Sequence, residues 1–494
     1  MFHRHGDRTS KSFPPANLTD LGYTQVYNSG QYYRTRYVET GASNKIAGLN
    51  TDIVLLSQIQ ASAPADNVIE SSATGFLQGL YPPVGATISA QTLANGSTIS
   101  APMNGYQIIP ISLQTTGASS ENAGWLQSAT SCNNAEISSN QYYYTQEYND
   151  LLNSTGDFYQ GILPVINGTF TSATDGFKNA YTSMSGMLFM DYTLLTSPVF
   201  DLINVAEIHN TSIPSNNLIT PEVFLQLQNL ANTHEFNLAY NASSPIRAIA
   251  GMVLAGQVSS FLNSTIAAAG KRTGPKFAVQ FGAYGTITSL FGLTNMTVVD
   301  PMFYGIPGYA SALTFELFTD SNYTGAFPEV DDLQVRLLWH NGSTTTGDDL
   351  TPEIYPMFGQ SATSLAWTDF SSRMAGISVG SNAEWCVACG NTTGTCAGTS
   401  GASTDDGSDG TTDSNTGGSH MSNAVAGVIG AMITLGIIFG AEALILLLGG
   451  FRMVRKRAMR NGAGSSNDGA ELTSVNVSPS KAWANEEPSG SSRR

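Results

Sequence analysis

Near the start of the chain, Arg4 and Arg8 flank His5 and Gly6 in the stretch FHRHGDRTS, residues 2–10. Each guanidinium presents a planar fork of N–H donors that matches phosphate oxygens. His5 offers a neutral imidazole nitrogen at mildly acidic pH, a group able to attack phosphorus. Gly6 lets the backbone approach an anion closely, and a helix after the loop would turn its positive end toward it. The pattern points to handling of phosphate, with a charged surface turn as the plainer reading of the five residues alone.

Such a loop has to be held by regular elements. Residues 18–37 read as a helix with Thr19 as its N-cap. Thr220 with Pro221, and Ser244 with Pro245, mark the starts of two more helices, since proline suits the first helical position. KFAVQFGA, residues 276–283, reads as a buried strand, followed by a turn at Tyr284-Gly285 and the helix TITSLFGL. Strand, loop and helix recurring in this way predict an α/β sheet whose active loops leave strand ends, with a mostly helical insertion over about 100–250. The opening loop should hang from the C-terminal end of a preceding strand. Met1 is followed at once by polar residues with no apolar leader, so the expectation is that the true start, and that strand with it, is missing.

The chain has 494 residues, with 21 Lys+Arg against 37 Asp+Glu and a net charge of −16. So acidic a chain is a poor partner for nucleic acid, whose phosphate backbone calls for clustered cations. Residues 424–451 form an apolar run interrupted only by Glu442, long enough to cross a membrane and predicted to span it once. Glu442 is given no role. Arg452, Arg455, Lys456, Arg457 and Arg460 follow the run, and Asp405, Asp406, Asp409 and Asp413 precede it, which places the tail in the cytosol. The expected organisation is an outward or lumenal ectodomain over 1–396, a Ser/Gly/Thr/Asp-rich stalk over 397–423, the span, and a disordered tail over 452–494 of a plasma-membrane or secretory-pathway protein. Cys132, Cys386, Cys389 and Cys396 predict two disulfides with three possible pairings, against a zinc reading of the C-x-x-C pair. Eleven N-x-S/T sequons between Asn17 and Asn391 agree with export and a glycoprotein.

Taken with NLTDLGYTQVYNSGQYYRTRY (17–37) and ASAPADNVIESSATGFLQGLYPP (61–83), the opening loop resembles the histidine acid phosphatases, the phytase-like and phosphoglycerate mutase-like branch of the histidine phosphatase superfamily. The resemblance implies an α/β sheet domain with a helical cap, a phosphohistidine at His5, and phosphate ligation by Arg4 and Arg8. It also implies a third arginine where this chain has Asn67, and a His-Asp pair, the Asp being the acid, where it has Ala283 and Tyr284. No arginine occurs between residues 37 and 246. A positioned acid contributes about 10²- to 10⁴-fold and an arginine on the transferring group on the order of 10³. Their loss amounts to roughly 7 to 10 kcal/mol at ~1.4 kcal/mol per tenfold. Tyr284 is the best local substitute as a weak acid. His234-Glu235 reads as part of a solvated helix face, His340 as structural before an Asn-Gly turn, and His3 and His209 have no convincing partner. The expectations are a weakened, membrane-anchored acid phosphatase with no cofactor or metal, or an inactive pseudo-phosphatase that binds a phosphorylated small molecule or polymer; a surface protein of adhesive role is third.

Overall fold

In the computed structural model, residues 1–114, 131–166, 169, 199–210, 218–320, 326–342 and 350–397 are described. The expected span over 424–451, the tail, and all of the stalk beyond Ala397 lie outside them.

Eight strands build one mixed sheet: β1 (Phe2–Arg4), β2 (Ile59–Pro64), β3 (Ser112–Gln114), β4 (Phe277–Gly282), β5 (Ala312–Phe318), β6 (Gln334–His340), β7 (Glu353–Tyr355) and β8 (Ser364–Ala366). Their spatial order is β8-β6-β5-β1-β4-β2-β3, with β7 also on β6. β1, β4, β2 and β3 are parallel, β5 runs against β1, and β6 runs against β5 and so in the direction of β1. The strand expected to be missing is therefore present: Phe2–Arg4 takes the place beside β4, with Phe2 opposite Gln280 and Arg4 opposite Gly282. Three residues suffice because both neighbours pair with them. The register brings Arg4 and Gly282 to the same edge, so the loops after β1 and β4 leave side by side.

α1 (Asp20–Tyr37) begins where the Thr19 hydroxyl accepts from Gly22 N–H, as its cap position demands. α2 (Asn67–Leu80) is capped in the same way by Asp66. The two helices cross at almost bare backbone. A Cβ on Gly30 would lie 2.1 Å from the Phe76 carbonyl oxygen, and one on Gly79 2.1 Å from that of Tyr27. Val26, Tyr33, Phe76, Val279 and Phe281 fill one face of the sheet. Phe2, Leu254, Ile287, Leu290, Trp339 and Phe370 fill the other, from α8 (Ile249–Ala267), α9 (Tyr284–Leu293) and α10 (Trp367–Ala375) as well as the strands.

Among the described residues, a hairpin pairing Gln91–Thr92 with Thr98–Ile99, and then β3, come before the helical section. Its named members are α3 (Asn133–Asn140), α4 (Gln146–Ser154), α5 (Gly156–Ile166), α6 (Val199–His209) and α7 (Pro221–Ala239), packed around Tyr148, Tyr159, Ile203, Leu227 and Tyr284. α7 starts as expected, with the Thr220 hydroxyl accepting from Val223 N–H and Pro221 at its first position. Two boundaries differ. Pro245–Ala248 is a 3₁₀ turn before α8, and Ser244 turns its hydroxyl to Ser138 instead of capping. No turn separates Tyr284 from its helix: α9 starts at Tyr284 itself, whose ring is drawn into the core of the helical section. Pro245–Ala267 is also apolar and long enough to cross a membrane, but Val253, Leu254, Ala255 and Leu262 are buried within the protein, as in a core helix.

Two disulfides close the C-terminal side of this unit. Cys132 bonds Cys389 and Cys386 bonds Cys396, which selects one of the three pairings. α11 (Asn382–Cys389) contributes both members of the C-x-x-C pair, each to a different partner, so the pair does not present two thiolates to zinc.

Candidate active site

Residues 4–11 leave the edge of β1 and fold over it. The close turn needs glycine twice: a Cβ on Gly6 would lie 2.3 Å from the Gly22 carbonyl oxygen, and one on Gly22 2.0 Å from that of Asp7. The start of α1 is thereby pressed against the loop, and its positive end faces the residues expected to bind an anion.

Arg4, His5 and Arg8 are all buried, at 4%, 0% and 1% exposure, and they converge instead of splaying into solvent. The carbon of the Arg4 guanidinium lies 4.5 Å from the Tyr309 ring centre and 5.1 Å from that of Tyr284; Arg8 lies 6.0 Å from Tyr309. Stacking of this kind holds a charged fork in place at small cost in hydration. Arg4 donates through Nη1 to the Pro307 carbonyl, and its Nε makes no hydrogen bond among the described residues. His5 Nδ1 lies 2.8 Å from the Gly6 carbonyl, which selects the tautomer protonated there and puts the ring's lone pair on Nε2. Burial, then the charges of Arg4 and Arg8, push the His5 imidazole well below its ordinary value, so it is neutral in acid.

Arg8 is engaged. Its two terminal nitrogens reach both oxygens of Asp201 on α6, at 2.8 and 3.4 Å. Ser10 Oγ and Lys11 N–H each donate to the same carboxylate at 3.0 Å. Burial opposes ionisation of Asp201, but the Arg8 charge and hydrogen bonds, with Lys11, outweigh it and hold the carboxyl below its usual range. Half-buried Lys11 is pushed down to about 7, by burial first and then by Arg8.

Several sequence expectations are corrected here. His209 is not without a partner: its Nε2 lies 2.6 Å from Asp7 Oδ2, and Asp7 also accepts from the Thr19 hydroxyl. His3 has partners too, with Nε2 2.8 Å from Ser29 Oγ and Nδ1 2.6 Å from the Arg4 carbonyl. The His234-Glu235 pair does not lie on a solvated face. Both side chains are buried, and Glu235 Oε2 accepts the Tyr284 hydroxyl at 2.6 Å. The burial of this end of α7 could not be seen without knowing that Tyr284 enters the same cluster. His340 ends β6, where Gly342 N–H donates to its Nδ1.

At the positions where the resemblance lacks its usual residues, Ala283 precedes α9 as a buried cap residue, and Asn67 opens α2. Asn67 is exposed and donates through Nδ2 to Asn17 Oδ1, in a cleft of about 410 Å³ lined also by Thr19, Tyr23 and Gln78. Tyr309, Asp201, Lys11 and Glu235 were missed as site residues. Lys11 had a sequence signal in its nearness to the loop and Glu235 in its adjacency to His234; Tyr309 and Asp201 come from segments whose approach only the fold determines.

A family model described as the histidine phosphatase superfamily (branch 2) matches residues 13–339, more than half of the chain. Among solved structures, the phytase from Citrobacter braakii is similar at 13% identity and a TM-score of 0.48, covering 79% of this chain and 98% of its own. The Hafnia alvei phytase in complex with tartrate gives 15% and 0.46, covering 78% and 96%; the Klebsiella sp. ASR1 phytase gives 12% and 0.48, covering 76% and 94%. No curated protein matches the chain.

Proposed function

This chain belongs to the histidine phosphatase superfamily, branch 2, and from that premise we propose that it hydrolyses phosphomonoesters through a phosphohistidine on His5. The observation that carries the reading is a buried imidazole, its Nδ1 fixed on the Gly6 carbonyl, held neutral beside two guanidinium groups. Nε2 attacks phosphorus as the bond to the leaving oxygen breaks, and that oxygen takes the electron pair and a proton. Arg4, with Nε free to donate, stabilises the charge on the transferring group. Tyr284 is the acid closest in the chain to the strand edge. Water then attacks the phosphohistidine, the P–N bond breaks toward Nε2, and phosphate leaves. With Asn67 in place of an arginine and Tyr284 in place of a carboxylic acid, aryl phosphates, whose leaving groups need less protonation, turn over faster than alkyl phosphates.

A second reading, a pseudo-phosphatase that binds a phosphorylated ligand, is favoured by one contact: Asp201 holds the Arg8 fork in both directions. The experiment that separates the two offers an aryl phosphate labelled in its phosphoryl group to the full chain, then quenches in base. Phosphohistidine survives base and is lost in acid. Acid-labile label on the parent protein and none on His5→Ala is the expected result. No label, with saturable protection by phosphate against heating, replaces the enzyme with the binder. Anchoring by residues 424–451, with the phosphatase unit outward or lumenal, belongs to the same proposal and is checked by protease access to intact cells.

A further inference from the structure

We infer that Glu235, on cap helix α7, works through Tyr284 as the proton source for the leaving oxygen. The inference rests on the phosphoryl-transfer reading above and deepens it. The Tyr284 ring is tied to the reactive loop by Arg4, whose guanidinium carbon stands 5.1 Å from the ring centre, and Arg4 is bonded in sequence to His5. At its far end the phenol oxygen meets Glu235 Oε2 at 2.6 Å, with both residues at 2% exposure. The second carboxyl oxygen lies 3.2 Å from His234 Nδ1. A carboxyl hydrogen-bonded to a phenol therefore stands buried beside the anion-binding loop, joined to it through Arg4.

The hydrogen-bond logic sets the direction of transfer. A phenol has one proton. Facing a carboxylate, that proton is donated to Oε2 and is unavailable to a substrate. Protonating Glu235 reverses the bond: the carboxyl O–H donates to the phenol oxygen, and the phenol O–H is released to point elsewhere. As the P–O bond breaks, its electron pair goes to the leaving oxygen, which takes the phenol proton while Glu235 reprotonates the phenol. His5 ends phosphorylated and Glu235 as carboxylate. When water attacks, its proton returns by the same two groups and the P–N electron pair returns to His5. Tyr284 is the catalytic residue in this scheme, and Glu235 the positioning residue that loads it.

The test is the ratio of the rates at which an alkyl and an aryl phosphate place acid-labile label on the full-length protein. Glu235→Gln keeps the volume and the bond to the phenol but cannot deliver a proton; Tyr284→Phe keeps the ring on Arg4 and is the second variant should the glutamine protein not fold. In each, the rate of labelling by the alkyl phosphate is expected to fall about 10²-fold, with the rate of labelling by the aryl phosphate nearly kept, because this step alone depends on protonation of the leaving oxygen. The double variant should be no worse than either single one, because the two act as a unit. Glu235→Asp is expected to recover part of the alkyl rate. Alkyl and aryl rates that fall together, or that do not change, overturn the relay while leaving His5 chemistry in place. Absence of label from the parent protein overturns both.

Discussion

At the scale of single residues, Asp201 decides how the loop is used. One carboxylate receives Arg8, Ser10 and the Lys11 backbone N–H, a donor set that would suit a phosphate oxygen equally. Asp201→Asn leaves the Arg8 guanidinium buried without its counter-charge, and breaking such a pair costs about 3 to 5 kcal/mol. Urea unfolding at pH 7 measures that loss. Inorganic phosphate at millimolar concentration should then raise the melting temperature of the variant by several degrees more than that of the parent; equal shifts would mean that the donors do not form an anion site. Arg4, His5 and Gly6 were readable from their order in the chain, because adjacent residues share a loop whatever the fold. Asp201 was not, since 193 residues separate it from Arg8 and no local pattern marks an aspartate that will face an arginine across a domain. His209 and Glu235 escaped for the same reason. Each gained its partner only when α6 and α7 packed onto the sheet edge.

At the scale of elements, the crossing of α1 and α2 is the tightest joint that holds the loop. Gly79→Ala places a methyl group 2.1 Å from the Tyr27 carbonyl oxygen and 2.9 Å from the Gln31 nitrogen, so the helices must separate. Overpacking of this kind costs on the order of 1 to 3 kcal/mol. Since Gly22 on α1 touches the loop backbone, Gly79→Ala on α2 should lower the stability and the aryl-phosphate rate together; a rate unchanged in a destabilised variant would show that the loop is held independently of α2. The elements themselves were well legible. Thr19, Thr220 and Pro221 mark helix starts because an orphan N–H needs an oxygen and a first-turn proline lacks one. β1 was not legible, as three residues carry no period; it exists because β4 and β5 supply both of its edges. The onset of α9 at Tyr284 was hidden similarly, since Gly285 reads locally as a turn.

At the scale of the whole molecule, buried neutral histidines govern behaviour in acid. Burial pushes His3 down to about 3 and His5 well below its ordinary value. The unfolded chain takes up a proton at each near pH ~6.5, the folded one does not, so stability is fully present above that pH and is lost as pH falls toward the folded values. Each histidine contributes a slope of about 1.4 kcal/mol per pH unit in that window. Unfolding free energies should fall from pH 6.5 to 5, above the range where most carboxyls titrate, by about 3 kcal/mol for the two histidines together. A flat profile would place the charged forms inside the fold. Neutral His5 also means that the nucleophile is not lost to protonation over the same range, so aryl-phosphate rates should show no rising limb there.

The bond from Cys132 to Cys389 turns the chain between them into a covalent ring, 257 residues around. Opening it by Cys132→Ser removes the constraint on the unfolded chain, on the order of 5 kcal/mol for a ring of that size. A single backbone cut anywhere on that ring does not release a fragment. Nicked protein would migrate as one species until a reductant is added and as two afterwards, so that cleavage by a neighbouring protease leaves the sheet, the helical section and the loop between them tethered as a two-chain protein.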